Sequence, residues 1–305
     1  MTNIKFDILI KDTFYNLTKL GENNHLKNVL SEFNDFEDGH WRYERFEEYI
    51  LNNLVFTCLS ASEREKIPDN SYSQLKLACQ NLRILDTDDN GKGSEIAEIL
   101  LYGIMKDYYN ALPAVAKIFF KQNVNDYAKG SDGFHIVLTD DDFSIWYGEA
   151  KFYKSIGKTQ LSTVANSVLN SLDSKKLRKE NITALDLKDL EVILKDSNQK
   201  EEIFEYLSLN KSLDELKKKL HIPIMILYEC SETAVASELT EEYKEKIFNK
   251  QIELTKQYFP IQDDICKTVF KYETITFHLI YFPVPNKEII VDNFINKANF
   301  FRGSN

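Results

Sequence analysis

The sequence predicts an α/β fold, with a mixed central sheet and helices on its faces. Three observations lead there. Strand-like and helix-like segments alternate from Glu95 onward. Two apolar runs, Ile222 to Tyr228 (IPIMILY) and Ile275 to Phe282 (ITFHLIYF), have the length and composition of buried strands. A third stretch begins at Gly130 and reads GSDGFHIVLTDDDFSIWYGEAKFY, which is two apolar runs joined by a short acidic turn.

Along the chain, Lys5 to Ile10 reads as a strand and His25 to Phe33 as a helix. From about Asp38 to Glu65 a broad apolar stripe of Trp41, Phe46, Tyr49, Ile50 and Leu54 predicts a longer helix. Another helix is expected over Ser71 to Leu85. Residues 86–94 (DTDDNGKGS) carry the Asp, Asn and Gly of a loop. Ser94 suits an N-cap for a helix through about Asn110, with acidic residues in its first turns, and Pro113 stops it. Ala114 to Gln122 (AVAKIFFKQ) reads as a strand, followed by the hairpin. Beyond it, Gly157 to Leu172 has helical spacing. From Ser174 to Lys219 the chain is strongly charged, with leucines at near-heptad positions: a solvated helical pair, or alternatively an insertion that binds a partner. Helices over Glu238 to Tyr258 and Asn286 to Phe300 complete the pattern. Residues 1–85 thus read as a mainly helical N-terminal region packed on the core formed by residues 86–305, with the charged insertion at about 174–219.

Composition narrows the class. A chain of 305 residues with 43% hydrophobic, 28% charged and 12% aromatic residues is an ordinary globular protein. The cysteines Cys58, Cys79, Cys230 and Cys266 lie far apart with no paired spacing, so neither a zinc site nor a disulfide framework is expected. The histidines are equally scattered. The start lacks the basic and long apolar regions of an export signal, and no run approaches a membrane span, so a cytoplasmic protein is expected. The net charge of −10 weighs against a free-standing nucleic-acid binder, whose affinity rests on neutralising phosphates. An acidic chain can still act on DNA if its basic residues are local or a partner delivers the substrate.

The chemistry sits in the hairpin. Residues i and i+2 of a strand share a face, so Glu149 and Lys151 project together, and pairing of the two runs brings Asp132 back beside them. Two carboxylates and an ammonium on one rigid support can hold Mg²⁺ and position a water. Similar acid-x-Lys spacings at Asp173/Lys175, Asp186/Lys188, Glu215/Lys217 and Glu242/Lys244 lie in helix-like sequence, where i and i+2 diverge. Asp132, between a serine and a glycine, would otherwise be a turn residue. Glu95 and Glu98, one turn apart on the preceding helix, share a face. Either could join the site or be ordinary first-turn acid, and Glu98 is favoured because it lies within an apolar stripe with Ile99, Leu101 and Tyr102. Asp140, Asp141 and Asp142 read as the hairpin turn, and His135 as a sheet residue.

A helix glutamate, Asp132 and Glu149-x-Lys151, in that order through an α-β-β-β-α arrangement, resemble the PD-(D/E)xK nuclease superfamily. Within it, GSEIAEILLYGIM, GSDGFHIV and WYGEAKFYKS resemble the HamA nuclease family of the Hachiman anti-phage defence system. These motifs cover about residues 91–160. Ser131, where the superfamily motif has proline, is a departure that bears little on the expected chemistry. The resemblance implies a PD-(D/E)xK nuclease-like core and a Mg²⁺- (or Mn²⁺-) dependent DNase. Asp132 and Glu149 would be metal ligands, with the carbonyl of Ala150 a third oxygen. Lys151 would orient or deprotonate the attacking water, and Glu95 or Glu98 would complete the acidic cluster. It also implies a HamB-like helicase partner. Two other readings stay open: a restriction-type endonuclease with its own sequence recognition, and an inactive nuclease-like interaction subunit.

Overall fold

The computed structural model describes residues 4–23, 25–67, 71–85, 93–115, 118, 131–186, 188–195 and 197–303. Its strands are β1 (Asp7–Thr13), β2 (Lys27–Phe33), β3 (Phe36–Glu37), β4 (His40–Trp41), β5 (Leu112–Val115), β6 (Gly133–Leu138), β7 (Phe143–Tyr153), β8 (Leu220–Glu229) and β9 (Thr276–Val284). Seven of them form one sheet in the order β1-β2-β9-β8-β7-β6-β5, and β3 and β4 make a separate ribbon. The middle strands β2, β9, β8 and β7 are parallel, and the margins β1, β6 and β5 are antiparallel to their neighbours. The sheet is mixed, as the alternation of segments predicted.

Helices cover both faces, and successive strand residues feed two separate apolar layers. Ile145 and Tyr147 of β7 and Ile224 and Ile226 of β8 pack in one layer with Leu161 and Val164 of the helix Lys158–Ser171 and Tyr258 and Phe259 of the helix Glu241–Cys266. Trp146, Ala150, Met225 and Leu227 face the other way. They pack with residues of the helices Tyr43–Cys58, Ser94–Tyr109 and Lys287–Arg302. Among the described residues no helix is long and apolar enough to cross a membrane. All four cysteines are buried and unpaired.

Several expectations need correction. His25 to Phe33 is not a helix: residues 27–33 form β2, a strand of the central sheet. Leu26, Val29, Leu30 and Phe33 have helical spacing, but β2 lies between two other strands and is covered on both faces. Val29 packs in one layer and Leu30 in the other, so no alternation of apolar and polar residues marks it. The expected helix from Asp38 to Glu65 resolves into β4, the helix Tyr43–Cys58 and a second helix, Ala61–Lys66. The break falls at Ser60, whose side chain caps the second helix in a capping box with Glu63. Ser94 is the first residue of its helix, and Gly93 is the cap, with φ +102°. Of the expected strand Ala114 to Gln122, residues 116, 117 and 119–122 lie outside the described residues, as do 86–92 of the expected loop.

The charged segment differs most. It forms the helices Ser174–Asp186, Lys188–Ile193, Lys200–Leu207 and Leu213–Lys217. Leu177, Leu190, Leu194, Ile203, Leu207 and Leu216 all belong to the buried core. These helices are therefore a packed lobe between β7 and β8, neither a solvated pair nor a leucine face awaiting a partner.

Candidate active site

Gly133 of β6 pairs with Gly148 of β7, and the same register continued by one step sets Asp132 opposite Glu149. The Asp132 N–H donates to the carbonyl of Gly148 at 2.7 Å, which extends the ladder to the aspartate itself. Asp132 Oδ2 accepts the N–H of Ala150 at 3.0 Å and lies 3.4 Å from Lys151 Nζ. The same ammonium donates to Glu149 Oε2 at 3.2 Å. Asp132, Glu149 and Lys151 thus form one bridged cluster. The Glu149 side chain is 7% exposed, Asp132 16% and Lys151 27%, so the cluster is sheltered but reachable from solvent.

Burial alone would lower the pKa of Lys151, but the neighbouring Asp132 and Glu149 outweigh it and the net shift is upward. The lysine is therefore a cation lodged between two carboxylates, where a small hard cation would find oxygen ligands. Because Ala150 turns its N–H toward Asp132, its carbonyl faces the same side of the extended strand. Two carboxylates and a carbonyl are a hard oxygen set suited to Mg²⁺ or Mn²⁺, ions that keep several waters when bound through one or two carboxylates. Among the described residues no group of three or more His, Cys, Asp and Glu side chains is arranged to hold a metal ion, so such an ion would rely on water and substrate oxygens as well.

The two helix glutamates part company. Glu98 lines the same small cavity as Asp132, Gly133 and His135. Glu95 instead accepts the backbone N–H groups of Arg83 at 3.1 Å and Ile84 at 2.8 Å, and so holds the turn Arg83–Leu85. The helix carrying Glu98 comes close to β7 because Gly148 has no side chain: a Cβ there would lie 2.7 Å from Leu101 Cδ2. His135 is a buried sheet residue whose ring packs against Tyr102. The three aspartates form the β6–β7 turn, where the Thr139 N–H donates to the carbonyl of Asp142.

Two residues of this neighbourhood escaped sequence reasoning. Glu180, on the helix Ser174–Asp186, accepts the backbone N–H of Ser131 at 3.0 Å. Asn181 accepts the hydroxyl of Tyr147 at 2.5 Å. Both are buried. The signal was present in the spacing: Leu177, Glu180, Asn181 and Ala184 share one helix face, so the stripe that buries Leu177 and Ala184 also buries the two polar residues between them.

A protein-family model described as HamA matches residues 8–298. No curated protein and no solved structure matches the chain.

Proposed function

The chain belongs to the HamA family, whose role is anti-phage defence, and on that premise we propose that it is a metal-dependent DNA nuclease with little sequence preference. The observation that carries this reading is the Asp132–Lys151–Glu149 cluster, built where the start of β6 meets the second half of β7. The order of elements supports it: helix Ser94–Tyr109, strands β5, β6 and β7, helix Lys158–Ser171 and strand β8 follow the PD-(D/E)xK arrangement.

In this reading Asp132 and Glu149, with the Ala150 carbonyl, hold Mg²⁺ or Mn²⁺. Such an ion, when bound, would offset negative charge on the scissile phosphate and lower the pKa of a bound water. Glu98 adds an acidic group beside Asp132 and favours cation entry. Lys151 binds a non-bridging oxygen of the scissile phosphate and orients the water. Ala150 fixes the Asp132 carboxylate through its N–H, so the carboxylate is oriented before substrate arrives.

The net charge of −10 shapes the rest of the proposal. Repulsion between the acidic chain and polyanionic DNA leaves a weak nuclease on its own, and a nuclease that reads no sequence must be restrained in its own cell. A HamB-like helicase that delivers DNA and withholds activity at rest meets both needs.

Plasmid incubated with the protein and Mg²⁺ or Mn²⁺, alone and with the helicase, should be cut, and EDTA should abolish cutting. Lys151→Ala should lower the rate by roughly 10²–10⁴-fold without loss of fold. Equal cutting by wild type and Lys151→Ala would refute the assignment.

A further inference from the structure

Glu180 and Asn181 are consecutive residues of one helix, yet each grips a different strand of the hairpin. Glu180 Oε1 accepts the N–H of Ser131, the residue before Asp132, at 3.0 Å. Asn181 Oδ1 accepts the hydroxyl of Tyr147, two residues before Glu149, at 2.5 Å. Ser131 is itself 2% exposed, and its hydroxyl donates to the Gly133 carbonyl at 3.0 Å. Asp132 therefore has one strand-forming bond on its own N–H and a second, from outside the hairpin, on the residue before it. A proline at position 131 would have no N–H to offer. The serine found there supplies the donor that this helix captures.

We propose that Glu180 and Asn181 are positioning residues that clamp the two carboxylate-bearing strands at a fixed separation, and that the lobe inserted between β7 and β8 serves the active site in this way. The proposal rests on the nuclease reading for its catalytic part. A loosened Ser131 lets Asp132 swing away from Glu149 and Lys151, and a displacement of about 1 Å at a reacting centre is worth on the order of 10²-fold in rate. The lobe is anchored to the core by Leu177, Leu190 and Leu194, so the helix is a rigid support for the clamp. Neither residue touches the scissile group in this scheme; both act through Asp132 and Tyr147.

The experiment combines hydrogen–deuterium exchange of the full-length protein with plasmid cutting in Mn²⁺. Glu180→Ala should speed exchange of the Ser131 amide and the amides that follow it by at least tenfold. It should also lower kcat by roughly 10–10²-fold with KM little changed and raise the Mn²⁺ concentration for half-maximal rate. Glu180→Gln, which keeps an acceptor oxygen, should restore most of the rate and the protection. Ser131→Pro, which removes the same N–H from the other side, should mimic Glu180→Ala in rate. Unchanged exchange and rate in Glu180→Ala would overturn the clamp. Loss of cutting in both Glu180→Gln and Glu180→Ala with exchange unchanged would overturn it too, because Glu180 would then act on metal or substrate directly. A wild type that never cuts, with or without the helicase, while Asp132→Asn and Lys151→Ala behave identically to it, refutes the nuclease reading and removes the catalytic half of this proposal. The exchange measurement then decides the structural half by itself.

Discussion

Two glutamates one helical turn apart illustrate how far a residue's type falls short of its role. Glu95 and Glu98 are both buried on the helix Ser94–Tyr109, and their spacing gives each an equal claim to the site. Their partners separate them. Glu95 satisfies two backbone N–H groups, and its loss would leave the buried Ile84 N–H without its acceptor, at about 1–3 kcal/mol, with a smaller cost at the more exposed Arg83. Glu98 shares a cavity with Asp132. Glu95→Ala should therefore lower the denaturant midpoint markedly. Any loss of cutting should follow only from the unfolded fraction. Glu98→Gln should leave the midpoint nearly in place and lower the rate. Urea melts and cutting rates on the two variants check this, and the reverse pattern would move Glu95 into the site. The hairpin residues were legible in the sequence because a two-residue spacing on a strand has only one geometric meaning. The glutamates were less so: the apolar stripe around Glu98 favoured it over Glu95, but a helix face does not say which neighbour it meets.

At the scale of elements, the sequence was most legible where burial follows a simple period. β8 and β9 were recognisable as apolar runs, and the hairpin by its turn. Errors arose where two structures share one pattern. β2 has helix-like spacing because both its faces are buried, and the leucines of the charged segment would look the same on a solvated helix, a docking face or a packed lobe. Leu185 is only partly buried, Leu187 lies outside the described residues, and Leu190 and Leu194 are fully buried. Leu194→Ala should thus cost about 2–5 kcal/mol of stability, the range for a large-to-small change in a packed interior. If Leu194 instead formed a partner contact, the isolated protein would melt unchanged and only co-purification with the helicase would suffer. Differential scanning calorimetry of the isolated chain separates the two outcomes. The surface that the lobe presents to a partner carries its exposed charges, not these buried leucines.

For the whole molecule, the sheet that supports the site also contains a carboxyl group that makes stability depend on pH. Glu32 lies in β2 and is only 6% exposed. Burial, with a smaller contribution from the charge of Asp107, pushes its pKa up from 4.5 to about 8. The unfolded chain releases this proton near the ordinary value, whereas the folded protein keeps it until the pH approaches the raised one. Between those two values the folded state binds more protons than the unfolded state, so stability falls as pH rises. The slope approaches about 1.4 kcal/mol per pH unit within the window and vanishes on both sides of it. Glu32→Gln removes the titrating proton while preserving shape and polarity. It should flatten the decline between about pH 5 and pH 8, with the largest gain in melting temperature at the alkaline end. Asp107 lies on the helix that carries Glu98, and Tyr49 donates to it at 3.1 Å, so Asp107→Asn should produce a smaller shift of the same sign. Thermal melts of the three proteins at half-unit pH steps test this, and parallel curves for wild type and Glu32→Gln would show that Glu32 titrates normally in the folded state.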